Sequence, residues 1–133
     1  MSSHAGLHAD SMSISLTVKD LQKSLAWYHE VLGFAIDRKL ERDGKLRGIA
    51  LQAGEARITI NQDDGAKGRD RIKGLGFSIY LTTDQDVDEL ASRVRKLTPA
   101  KDAEAADMHW GVRMLRLEDP DGYKIAVAKP LAK

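Results

Sequence analysis

Residues 12–18, "MSISLTV", set Ile14, Leu16 and Val18 against Ser13, Ser15 and Thr17. A period of two predicts a strand with one buried face. The period then lengthens: Leu21, Leu25, Tyr28, Val31 and Leu32 share a helical stripe, with Asp20 placed to cap it and Gly33 to end it. "FAIDRKLE", "LRGIALQAG" and "EARITINQ" read as three strands, the first two joined by a tight turn at Asp43-Gly44. The same order then recurs. A strand is predicted over 75–83. A helix from Asp84 onward follows, with Val87, Leu90, Ala91, Val94 and Leu97 on one stripe and Pro99 as its end. A weaker strand at 101–107 precedes "GVRMLRLE" and "YKIAVAK".

The chain therefore repeats a β-α-β-β-β unit. Ile14 to Val18 aligns with Phe77 to Leu81, and Arg57 to Ile60 with Lys124 to Val127. An internal repeat is a stronger fold signal than local propensity. The reading is an α+β protein: a polar tail (1–11) and one domain over 12–130. That domain comprises a module at 12–62, a linker at 63–73 and a module at 74–130. The linker residues Asp63, Asp64, Arg69, Arg71 and Lys73 read as a solvated loop rather than a phosphate clamp.

With a formal net charge of +1 spread along the chain, there is no electrostatic case for nucleic acid or an anionic membrane. The absence of cysteine removes disulfides and thiolate chemistry and fits a reducing, cytoplasmic setting. No apolar run reaches spanning length, and the first eleven residues lack a signal-peptide core. His4 and His8 in that tail belong to a mobile arm on this reading, and His29 to a helix surface, solvated or locally bonded.

"DPDGY" before the last strand and "VKDLQKSLAWYHEVLGF" at the first strand-helix junction, set within the repeat, resemble the vicinal oxygen chelate superfamily. That group includes glyoxalase I, extradiol dioxygenases and the fosfomycin- and bleomycin-resistance proteins. The resemblance implies two curved mixed sheets around a cleft. It also implies metal ligands, in metal-using members, on the first and last strands of each module. Here those places map to Ser13, Thr59, Gly76 and Ala126, which supply no adequate donor set. No metal and no cofactor are expected.

"MHWGVR" (108–113) brings together an imidazole, an indole, a glycine and a guanidinium. Trp110 could stack on a planar ligand with Arg113 at its anionic or carbonyl group; equally, Trp110 could cover the core edge while Arg113 pairs with a surface acid. Tyr80 shares a face with Ser78 and, through the repeat, with Ser15 and Thr17. The expected ligand set is Ser15, Thr17, Tyr80, His109, Trp110 and Arg113. The leading function is metal-independent binding of a small planar organic molecule, with no catalytic residue assigned, in a homodimer as the resemblance implies. The rivals are a metal-independent enzyme using His109, Tyr80 and Asp107, a metal enzyme with displaced ligands, and an oligomerisation domain with a filled cleft.

Overall fold

The computed structural model describes residues 6–68 and 71–132. Strand β1 is Ser13–Val18, followed by helix α1 at Leu21–Leu25. Asp20 caps the helix by accepting from the Lys23 amide at 3.2 Å. The helix does not continue as an α-helix. Ala26–Val31 is π-helical: Leu32 N–H donates to the Trp27 carbonyl at 3.1 Å. Gly33, at φ 86°, ends it as the sequence predicts.

Strands β2 (Ala35–Arg42), β3 (Lys45–Ala53) and β4 (Ala56–Gln62) complete the first module. The turn between β2 and β3 places both Asp43 (φ 53°) and Gly44 (φ 74°) at positive φ, as a primed hairpin turn requires. The second module holds β5 (Ile79–Thr82), α2 (Val87–Leu97), β6 (Ala105–Met108), β7 (Val112–Glu118) and β8 (Lys124–Pro130). The sheet orders are β1-β4-β3-β2 and β5-β8-β7-β6, so the two modules share one topology.

Three sequence expectations shift. The strand predicted over 75–83 shrinks to Ile79–Thr82 because Gly74 and Gly76 stand at φ 78° and 82°, outside extended backbone. Helix α2 starts at Val87 with Asp86 as its cap, accepting from the Asp88 and Glu89 amides at 2.9 and 3.2 Å. The weak strand moves to Ala105–Met108.

One continuous core joins both modules through Leu16, Tyr28, Ile60, Val94, Leu115 and Ile125. Leu16, Ile60, Leu115 and Ile125 occupy the sheet faces turned toward the helices, and Tyr28 and Val94 come from the helices themselves. The DPDG turn locks the modules together. Asp119 accepts from the Asp121 and Tyr123 amides at 2.8 and 2.9 Å with one oxygen, and from the buried Tyr28 hydroxyl at 2.7 Å with the other. Asp121 accepts from the Lys19 amide at 2.7 Å, and Tyr123 donates to the Thr17 carbonyl at 2.8 Å. Burial, and then the Asp119 carboxylate beside it, pushes the Tyr28 phenol well above its usual range. Burial also raises the Asp119 carboxyl, despite its donors.

The connection between modules corrects a sequence reading. Asp63 and Lys73 do not lie in a solvated loop: their side chains are each 3% exposed and form an ion pair at 3.1 Å. Arg71 stands 3.7 Å from the same carboxylate, while Asp64 is exposed as expected. The Gly65 amide, and after it Lys73, holds the Asp63 carboxyl below its usual range. Arg69 and His4 lie outside the described residues. His8 is exposed near Asp10, and His29 is locally bonded through Nδ1 to the Phe34 carbonyl at 2.7 Å.

Candidate functional site

Strand pairing decides what each sheet shows on the face turned away from its helix. In the first sheet the paired rows are Ser13–Arg57–Gln52, Ser15–Thr59–Ala50–Arg38 and Thr17–Asn61–Gly48–Leu40. This open face is polar. Asn61 Nδ2 donates to the Ser15 hydroxyl at 2.7 Å and fixes the wall. Gly48 lets Asn61 lie flat: a Cβ there would stand 2.9 Å from Asn61 Oδ1.

The matching rows of the second sheet differ. Tyr80–Ala126–Arg116 is followed by Thr82–Ala128–Met114–Ala106. Met114, Ala126 and Ala128 form a small apolar cluster, with Met108 and Val112 packed against it. Tyr80 and Trp110 stand beside it, 50% and 48% exposed, and the Trp110 indole N–H donates to the Tyr80 hydroxyl at 3.3 Å. His109 meets the Trp110 ring edge-on, with centroids 4.9 Å apart.

The structure therefore splits the sequence-derived set. Tyr80, His109 and Trp110 come together on the second module. Ser15 and Thr17 share the first sheet's open face, and among the described residues no hydrogen bond or ring contact joins them to Tyr80. Arg113 is on the helix side of its sheet: it pairs in register with Asp107 and shares the face of Leu115. Its guanidinium grips Asp88 of α2 through two bonds, at 2.8 and 2.9 Å, and Asp107 at 2.9 Å. Those partners, Asp88 first, hold it charged and hold the Asp88 carboxyl below its usual range. The surface pairing of Arg113 is what the geometry supports, and Asp107 is committed with it.

Sequence reasoning missed Arg116, Trp27 and Asn61. Arg116 is exposed and, among the described residues, unpaired; it stands across Ala126 from Tyr80. It also lines a cavity of about 770 Å³ with Ala126, Ser78, Lys124 and Trp27. The cavity wall carries the carboxylates of Asp102, Glu118 and Asp119 and the helix-side Val94, Leu117 and Ile125, with Tyr80 and Trp110 outside it. The signal was an arginine inside "MLRLE", but its face depends on its register against Ala126. A larger crevice of about 1300 Å³ near Lys19, Arg42, Arg47 and Asp64 is a wide surface of mixed charge with no aromatic wall.

The pairing also corrects the metal mapping. Ser15 pairs with Thr59 as Tyr80 pairs with Ala126, so Ser13 corresponds to Ser78, two residues beyond Gly76. The four places become Ser13, Thr59, Ser78 and Ala126: three hydroxyls and a methyl. Among the described residues no three His, Cys, Asp or Glu side chains gather to hold an ion. This donor set does not fit a divalent metal.

Comparison with known proteins agrees with the architecture. Residues 9–127 match the Glyoxalase family, described as the Glyoxalase/Bleomycin resistance protein/Dioxygenase superfamily. The lactoylglutathione lyase of Salmonella typhimurium is 32% identical over 116 residues, covering 83% of this chain and 84% of that protein. A probable lactoylglutathione lyase of Synechocystis sp. is 30% identical over 129 residues, covering 89% and 93%. Among solved structures, TnmS3, an antibiotic binding protein from Streptomyces sp. CB03234, superposes with a TM-score of 0.66 at 20% identity over 96% of this chain and 98% of that one. A superfamily member from Sphaerobacter thermophilus gives 0.69 at 22% identity, over 92% and 98%. The matched span, the paired four-stranded sheets and the DPDG turn agree, and the chain belongs to the glyoxalase/bleomycin resistance protein/dioxygenase superfamily.

Proposed function

We propose that this protein binds a small planar organic molecule, without a metal, on the open face of its second sheet. One observation carries the reading: Ala126, which sets only a methyl between Tyr80 and Arg116 in its row, lines with Arg116 a cavity of about 770 Å³ at the margin of the buried Met114 and Ala128. That volume lies in the range of small-molecule sites. Tyr80 and Trp110 offer ring faces to a flat ligand; stacking adds roughly 1 kcal/mol beyond area burial. Ser15 and Thr17 serve as hydrogen-bonding groups if a second copy brings the first sheet's open face to the site, and a homodimer is part of this proposal.

The test is calorimetric titration with planar aromatic compounds. Ala126→Phe fills the gap and abolishes binding while the fold survives by circular dichroism. Unchanged affinity in that variant overturns the reading.

The names of the curated relatives favour a second reading, a lyase. It must do without the usual donor set, and Asp107, one of three proton carriers open to it, is held by Arg113 across the sheet. Lactoylglutathione formation by the purified protein would establish it.

A further inference from the structure

The chain's charge is nearly balanced, but the balance is not kept on each face. On the open face of the first sheet, the paired rows bring Arg57 and Arg38 and no carboxylate, with Asp37 in the bulge beside Arg38. On the second, Glu118 stands opposite Lys124 in one row, which leaves Arg116 in the next row as the uncompensated cation. Among the described residues, Arg38, Arg57 and Arg116 make no ion pair. Of the carboxylates that line the cavity with Arg116, Asp119 is used in the module junction and Glu118 stands opposite Lys124, which leaves Asp102 in the wall, while Asp88 and Asp107 are used by Arg113.

From this we infer that the bound molecule is a planar organic anion, a carboxylate or a comparably acidic group on an aromatic frame, and that Arg116 is the residue that selects for its charge. The inference rests on the reading of the second sheet's open face as the ligand site. Arg116 is well placed for the task. Its strand and that of Tyr80 flank Ala126 in one row, and Arg116 lines the cavity that Ala126 borders, so a ligand held over Ala126 lies within its reach. A guanidinium recognises a carboxylate through two parallel hydrogen bonds, which sets orientation as well as charge. With alanine at 126 there is no carboxylate in the middle of the row to compete with the ligand for that fork.

The experiment compares 2-naphthoate with its neutral isostere 2-naphthamide, titrated calorimetrically into the full chain. Expected is a preference for the carboxylate of roughly tenfold, the usual scale of one charge-assisted hydrogen bond at a partly wet site. Arg116→Met removes the preference by weakening naphthoate alone, and Arg116→Lys restores part of it. In the unaltered protein, raising salt weakens naphthoate and leaves naphthamide unchanged. If the unaltered protein binds both probes equally, or Arg116→Met weakens both alike, the selection by charge is overturned while the ligand site stands. If it binds neither, the site itself is overturned and the inference with it.

Discussion

The two modules share strand order, orientation and pairing, yet their open faces have opposite characters. Where the first carries Ser15, Thr59 and Asn61, the second carries Tyr80, Ala126 and Ala128. Their helix-facing sides do not diverge in this way: Leu16, Ile60, Leu81 and Val127 are interchangeable in kind. The fold is written on one side of each sheet and the chemistry on the other. Two copies of one module can therefore keep a common frame while one copy becomes the ligand wall.

Breaking the comparison begins on the helix side. Ile60→Ala and Leu115→Ala, both at fully buried positions, should each cost about 2–5 kcal/mol in denaturant unfolding, whichever module is altered. Equal costs from the two modules would support a shared core; a near-neutral result at either would split it. Next is the junction. Asp119→Ala leaves the Tyr28 hydroxyl and two amides without their acceptor and should cost on the order of 3 kcal/mol. Tyr28→Phe should cost less, about 1 kcal/mol, because the carboxylate keeps its amide donors.

On the open faces the asymmetry should show in binding. Ala126→Leu is expected to weaken a planar ligand at least roughly tenfold by filling the gap, and Thr59→Leu, its counterpart, to have a far smaller effect. Equal losses would make the two faces one site.

Acid should also separate the connection from the junction. The Asp63 carboxyl is lowered on folding, so its stabilisation is present above the ordinary carboxylate pKa of about 3.9 and is lost as pH falls through the lower folded value. The Asp119 carboxyl is raised, so its contribution has the opposite sense: it is present below that pKa and lost as pH rises through the folded value. Asp63→Asn should flatten the acid limb of a stability-pH curve, and Asp119→Asn the limb above it. The smallest effect is expected from Asn61→Ala, which removes an exposed bond to Ser15 and should change stability by less than about 1 kcal/mol.

What could be read from the sequence followed from local rules. The Asp43-Gly44 turn, the Gly33 helix stop and the alternation in β1 depend on neighbouring residues alone, and all three stand in the structure. What could not be read depended on pairing between distant strands. Aligning the repeat through Ser15 and Ser78 instead of Ser15 and Tyr80 kept every side chain on its proper face, because a slip of two preserves the pleat, but it moved one ligand place from Ser78 to Gly76. Arg113 and Arg116 are three apart in one strand and so lie on opposite faces; with Met114 and Leu115 both apolar between them, the local pattern cannot say which face is which. Asp63 and Lys73 look like solvent residues in a polar run, and only the closing of the connection buries them against each other.

The widened turn at Ala26–Val31 has a consequence for where the first helix aims its rings. A π-helical turn is what a helix becomes when it takes in one residue more than its regular winding accommodates. Each residue turns an α-helix by about 100°, so the extra one redirects everything beyond it. Helix α2 shows no such turn. The two helical stretches nevertheless match in length, Leu21–Val31 against Val87–Leu97, so what sets the first module apart is a widened winding of unchanged length. Its mark is the pair of neighbouring rings it sets at right angles, Tyr28 turned inward to the Asp119 junction and Trp27 toward the cavity wall. Removing Ala26 should return the helix to regular winding and swing those two rings out of the places they now hold.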